Sequence, residues 1–233
     1  MISLKNTLSL KYEIVKTHEE YPIGGVNRLI LQQDWDDRFI KIIKEHKIES
    51  IVMTYTKLAN GIEFFEKLKS FPIRGISIQL ATVKDIRPLI HLKDTLECLV
   101  LELAFTDAPD FTKFTKLWCV ALDWRSKAKT ILKSKTITRM GLEKHPFETM
   151  EVFSSMPQLE ILSLGYGKLE SLKGIEKLPK LNELSIFLCR TFESLEGIQN
   201  APNLTKEKVV ISKCRQITPN SPFAEYVTFD DLV

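Results

Sequence analysis

Three apolar residues spaced as Leu-x-x-Leu-x-Leu return along this chain at a nearly constant interval, and few folds can accommodate that pattern. In the clearest stretch, Leu159, Leu162 and Leu164 are followed 22 residues later by Leu181, Leu184 and Ile186. The segments after them match as well, Leu172-Lys173-Gly174-Ile175-Glu176-Lys177-Leu178-Pro179 against Leu195-Glu196-Gly197-Ile198-Gln199-Asn200-Ala201-Pro202. Working outward gives Val26/Leu29/Leu31, Ile48/Ile51/Met53, Ile73/Ile76/Ile78, Leu96/Leu99/Leu101, Leu117/Val120/Leu122 and Ile137/Met140/Leu142. A ninth copy is imperfect: it ends at Val209 and Ile211, with Lys206 in the first apolar place. The last apolar positions are separated by 22, 25, 23, 21, 20, 22, 22 and 25 residues. At ordinary apolar usage three chosen positions are all apolar about one time in twelve, so one match means little and eight in register mean a repeat. Each unit is too short to bury its own apolar edge and must bury it against its neighbours.

This phrase and period resemble those of leucine-rich repeat proteins over roughly residues 26 to 214, most closely the short-repeat bacterial type seen in internalins. The resemblance implies an α/β fold: a right-handed leucine-rich-repeat solenoid of about nine rungs, with a parallel concave β-sheet and helices or 3₁₀ turns on the convex side. Stacked strands lie about 4.8 Å apart, so nine rungs make a sheet on the order of 40 Å long. Residues 1–25 read as an N-terminal cap, with an alternating Leu8–Val15 strand and a reversal at Gly24-Gly25. Residues 215–233 read as a C-terminal cap holding Phe223, Tyr226, Val227 and Phe229, followed by a frayed tail. After the first rung, acids at Asp34, Asp36 and Asp37 precede Phe39-Ile40-x-Ile42-Ile43, with Lys44 and Lys47 near the end. Those charges match a helix dipole and predict a real helix. Later returns are short and closed by proline, as single turns or 3₁₀ pieces would be.

Charge and hydropathy narrow the function. The 33 basic and 30 acidic residues nearly cancel, which gives no footprint for nucleic acid and no polybasic surface for a membrane. Lys127, Lys129, Lys133, Lys135 and Arg139 form the one dense basic run, and it reads as a solvated face. The start has no uninterrupted apolar stretch of a secretory signal and no segment approaches a membrane span, so a cytoplasmic location is expected. Histidines 18, 46, 91 and 145 are scattered, and no phosphate-cradling, nucleophile-elbow or metal-ligand motif occurs. Neither a catalytic residue, a cofactor nor a metal is expected.

Four cysteines lack zinc spacing. Cys98 and Cys119 occupy the same place in neighbouring rungs, which leaves open a disulfide or two thiols, the thiols being the expectation in a reducing cytosol. Cys189 and Cys214 each follow the final apolar position by three residues. The resemblance makes that an inward slot, usually Asn, Cys or Thr, whose polar group bonds the turn backbone. Arg125 and His145 stand in the same slot of rungs five and six. The expectation is local irregularity there, or side chains turned out to solvent.

Strand side chains alternate, so the residue between the last two apolar positions and the one after them face the concave side. The first of these columns, from Ile30 to Val210, carries no charge. The second reads Gln32, Thr54, Gln79, Glu102, Asp123, Glu143, Gly165, Phe187 and Ser212. It stacks Glu102, Asp123 and Glu143 in consecutive rungs, with Trp124, Tyr166, Phe187 and Tyr55 alongside. Like charges so close repel unless a cation offsets them. The stripe is therefore either a face for a basic, partly apolar protein partner or a solvated row partly paired with Lys144 or Arg139. Trp124 has a core alternative. The resemblance implies a non-enzymatic protein-binding module using its concave face; a narrower form is a bacterial immunity protein neutralising a basic toxin. The alternatives are a delivered effector or adhesin binding a host protein, and a regulatory subunit of an enzyme.

Overall fold

A computed structural model describes residues 10–18, 22–54, 61–79 and 83–230. Their strands form one eleven-stranded sheet in sequence order. The strands are β1 (Tyr12–Lys16), β2 (Asn27–Leu31), β3 (Ile48–Thr54), β4 (Gly75–Gln79), β5 (Cys98–Glu102), β6 (Cys119–Asp123), β7 (Arg139–Glu143), β8 (Ile161–Gly165), β9 (Glu183–Phe187), β10 (Val209–Ser212) and β11 (Thr228–Phe229). Only β1 runs antiparallel, as a hairpin with β2; from β2 to β11 every described pairing is parallel. The chain is an open α/β solenoid.

The repeat phrase sets the register. Leu31, Met53, Ile78, Leu101, Leu122, Leu142, Leu164, Ile186 and Ile211 are consecutive partners in the ladder. All nine are buried in one continuous core, which the returns close on the other side. Backbone bonds repeat with it: the N–H groups of Cys98, Cys119, Arg139, Ile161 and Glu183 each donate to a carbonyl of the preceding rung, at 3.0 or 3.1 Å. Rungs five and six keep the strand register, the expected irregularity being confined to the end of rung five, where the β5–β6 ladder stops at Leu101/Leu122; a register shift occurs at Asn27/Arg28, between β2 and β3.

The returns behave as their composition predicts. Helix α1 (Phe39–Glu45) buries Phe39 and Ile43, has Lys44 in its last turn, and is preceded by Asp36, whose carboxylate accepts the Arg38 N–H. A second, one-turn helix, α2 (Phe65–Leu68), follows β3. From β4 onward the described returns are 3₁₀, such as Ile175–Lys177 and Ile198–Asn200. They bury large rings, including Phe111, Phe114, Phe153 and Phe192, in the volume behind the sheet.

The ends differ from the middle. β1 begins at Tyr12; Leu8 and Ser9 of the expected strand lie outside the described residues, as do Asp231 to Val233 of the expected tail. At the other end a turn at Ala224–Tyr226 leads into β11, with Val227 buried and Tyr226 exposed. Asp230 is held by its N–H to the Ile211 carbonyl. The tip of the β1–β2 hairpin folds over the concave face: Ile23 and Val26 pack against Cys98 and Cys119. Ile23 also fills the space that a Cβ on Gly75 would need.

The matched segments after β8 and β9 show why glycine recurs there. Gly174 and Gly197 both take left-handed backbone, at φ +95° and +101°, and each starts a 3₁₀ turn. An alanine at either position costs about 1–2 kcal/mol for that conformation. A Cβ at Gly174 would also meet the Glu151 backbone nitrogen at 2.7 Å, whereas at Gly197 the nearest atom is 3.3 Å away. Gly174→Ala is therefore expected to lower the urea midpoint more than Gly197→Ala, and equal losses would refute this account of the two turns.

Candidate functional site

The concave face holds a cavity of ≈ 430 Å³ across β5 to β9, walled at one end by Pro22 of the hairpin tip. Its floor is the uncharged column Val100, Ala121, Gly141, Ser163 and Ser185, in consecutive register. Glu102, Asp123, Glu143 and Phe187 line one long side, as the alternation predicts. Cys98, Cys119, Arg139, Ile161 and Glu183 line the other, because positions two residues before the floor column face the same way. Sequence reasoning stopped at two columns and missed this third one. Carrying the same alternation one step further back would have found it; Arg139, expected as an alternative partner of the acidic row, instead stands in this column across the floor from it. The other members of the basic run, Lys127, Lys129, Lys133 and Lys135, are exposed.

The three acids have three different environments. Glu102 is exposed and accepts a hydrogen bond from the Gln79 amide at 3.0 Å. Asp123 is only 8 % exposed, and Lys144 Nζ reaches back one rung to its Oδ2 at 2.6 Å. Its place on an open stripe is thus corrected to that of a buried, paired carboxylate, and the alternative that Lys144 pairs with the row holds for this member. Glu143, opposite Asp123 on β7, is half-buried. Burial raises its pKa, the neighbouring Asp123 and Glu102 carboxylates add to that, and Lys144 opposes it. The remaining strain of the stripe therefore concentrates on Glu143.

Tyr166 and Phe187 form a ledge beside these acids, their rings edge-on at 5.6 Å. Phe187 pairs with Gly165 and its ring fills the space where a Gly165 side chain would stand. Tyr166 is 53 % exposed. It sits in left-handed backbone at φ 50°, as do Lys144, Leu188 and Lys213 at the equivalent place of their rungs. There the N–H groups of Lys144, Tyr166 and Leu188 all donate to the next strand's end. Tyr55 lies outside the described residues.

Trp124 is corrected from binding face to core. It is 8 % exposed and packs against Phe147 with centroids 4.6 Å apart. Its N–H makes the same bond as the turn residues, to the Glu143 carbonyl at 2.8 Å, but its φ is not positive. The turn is out of phase by one residue: the indole enters the core and Arg125 is left half-buried, donating to the Trp124 carbonyl at 2.7 Å.

In rungs eight and nine the slot three residues after the final apolar position is inward, as the resemblance implies. The Cys189 thiol approaches the Leu164 carbonyl and the Cys214 thiol the Ile186 carbonyl, at 4.0 and 3.8 Å. Burial pushes both thiol pKa values up, that of Cys214 to about 11. His145 fills the same slot with a larger group. It does not turn out to solvent; it is 1 % exposed, stacked on Phe147, with neither ring nitrogen hydrogen-bonded. Burial lowers its pKa to about 4, and a weak pull from the Phe147 backbone, short of hydrogen-bond geometry, does not restore it.

Among the described residues no three His, Cys, Asp or Glu side chains gather as a metal ion would need. No described helix is long and apolar enough to cross a membrane. No protein-family model matches the chain, and no curated protein matches it significantly.

The buried indole and imidazole can each be tested through stability. Trp124→Ala is expected to cost about 3–5 kcal/mol, read by chemical denaturation; a loss under about 1 kcal/mol would return Trp124 to the surface. For His145 the folded pKa lies below the ordinary value of 6.5, so the unfolded chain binds the extra proton first. Stability is full above pH 6.5 and falls as pH drops toward about 4, by about 3 kcal/mol in all. His145→Asn, restoring an amide to the slot, is expected to abolish that part of the pH dependence; an unchanged pH profile would refute it.

Proposed function

We propose that this chain is a non-enzymatic protein-binding module of the leucine-rich repeat type, and that its concave cavity receives a basic, partly apolar segment of a partner protein. The single observation that carries this is the convergence of Glu102, Asp123 and Glu143 beside the Tyr166–Phe187 ledge, over a floor without charge. A cationic side chain laid along this floor would bury its aliphatic stem on Val100, Ala121 and Gly141. Its head would offset the burial, and the repulsion from neighbouring carboxylates, that hold Glu143 above its ordinary pKa. Rigid aromatic anchors beside desolvated charge are the residue types that dominate binding energy at protein interfaces. The narrower reading is an intracellular immunity protein that occludes a basic toxin; the acidic lining supports it, and a cytoplasmic location belongs to the same proposal.

The test is capture of partners from the source cell, with wild type and Glu102→Lys/Glu143→Lys side by side. Asp123 stays untouched because its ion pair is structural. A basic protein retained by wild type is expected to lose association rate by on the order of tenfold or more in the variant, with the difference shrinking as salt rises. Equal capture by both, with circular dichroism confirming that both fold, would refute the acidic side as the recognition element. An immunity role further requires that expression protects cells from one toxin and not from others.

A further inference from the structure

The cavity's second long side carries chemistry that the binding reading does not use. Cys98 and Cys119 are direct partners in the β5–β6 ladder, on the same face. Parallel strands lie about 4.8 Å apart, inside the Cα separation of about 4.4–6.8 Å at which a disulfide forms, so the pair is within bonding reach once the two side chains turn toward each other. In the structure both are thiols, 7 % and 5 % exposed, packed under Ile23 and Val26 and opening onto the cavity. Arg139, next in the same column, pairs with Cys119 in the ladder and forms no ion pair among the described residues. The facing Cys98 thiol lowers the pKa of Cys119, and Arg139, its ladder partner on β7, lowers it further against the cost of burial. Cys98 is driven the other way by the same contact and by burial. Cys189 and Cys214 also neighbour each other, but both face the core, no cation acts on either, and burial raises both.

We propose that Cys98 and Cys119 form a reversible peroxide-sensitive dithiol in the wall of the concave cavity, with Cys119 attacking and Cys98 resolving. The Cys119 thiolate attacks one oxygen of hydrogen peroxide and the O–O bond breaks. The hydroxide leaves as water with the proton that the thiol gave up, and Cys119 becomes a sulfenic acid. The Cys98 sulfur then attacks the Cys119 sulfur, forming the S–S bond. The sulfenic hydroxyl departs as a second water with the Cys98 proton. Two thiols and one peroxide thus give one disulfide and two waters, and a small dithiol reverses the change. Hydrogen peroxide is small enough to reach sulfurs that larger oxidants meet only through the cavity mouth. The oxidised state ties the starts of β5 and β6 together directly beside Arg139, so the chemistry is placed to alter what the cavity accepts.

The test treats the reduced full chain with one equivalent of hydrogen peroxide, blocks remaining thiols, and maps cysteines by peptide mass spectrometry. The expected result is a Cys98–Cys119 linkage that dithiothreitol reverses, with Cys189 and Cys214 still thiols. Cys98→Ser should stop at a sulfenic acid on Cys119, trapped by dimedone, and Cys119→Ser should leave Cys98 unreacted. Arg139→Gln should slow sulfenate formation about tenfold by removing the cation beside the thiolate. Thermal melts establish that each variant is folded. Cys98 and Cys119 surviving as thiols to the same extent as Cys189 and Cys214, or oxidising without becoming linked, would overturn the proposal. Because the readout is covalent, it stands or falls independently of any protein partner.

Discussion

The in-register parallel ladder is the constraint on which everything else in this molecule depends. Because Leu31, Met53, Ile78 and their successors are bonded partners from rung to rung, a residue's place in the phrase fixes its column, and its column fixes its face. A one-residue slip in any strand would send apolar side chains to the concave side and polar ones into the core. The core enforces the register, and the register in turn writes chemistry across the sheet in rows. The acidic row, the uncharged floor and the thiol–guanidinium row are three readings of one alternation. None of them needed a dedicated structural element.

The rows are modified where side-chain volume overrules position. In rung five the turn shifts its phase by one residue, so that Trp124 fills the core against Phe147 and Arg125 is left half outside. An indole buries far more apolar surface than the aliphatic part of an arginine can, and a buried guanidinium would need partners that this slot does not supply. In rung six no such exchange occurs. His145 stays inside, neutral and without hydrogen bonds, and Phe147 packs on its ring. Two adjacent rungs thus solve the same misfit differently, and both solutions leave the backbone ladder intact.

Most of this architecture was legible because it is periodic. The nine rung positions, the real helix after β2, the 3₁₀ returns and the inward cysteines at 189 and 214 all follow from spacing and from local composition. What was not legible is what one residue of phase or one distant contact decides. The difference between Trp124 and Arg125 is a competition of volumes. Lys144 reaches Asp123 because its left-handed turn directs the side chain back across a rung. The hairpin tip reaches Cys98 and Cys119, 75 residues and more from Ile23, through a contact whose local trace is the missing side chain at Gly75. Arg139 was recognised as a cation near the acids, but which side of the floor it takes depends on a column position that the lysine run on the return obscured.

The cavity is electrostatically costly at one point of its acidic side. Asp123 is stabilised by Lys144, and Glu102 is open to water, so neither holds much unrelieved repulsion. Glu143 stands on the far side of Asp123 from Glu102, partly withdrawn from solvent, and its raised pKa measures free energy that the fold loses by keeping it charged. Replacing that carboxylate by a neutral amide, Glu143→Gln, would stabilise the chain at neutral pH and at the same time remove the group that gains most from an incoming cation. Selection for stability alone would favour the amide. A carboxylate standing at that point, over a floor of small side chains and beside an exposed tyrosine, is what the proposed binding of a cation would account for and stability alone would not.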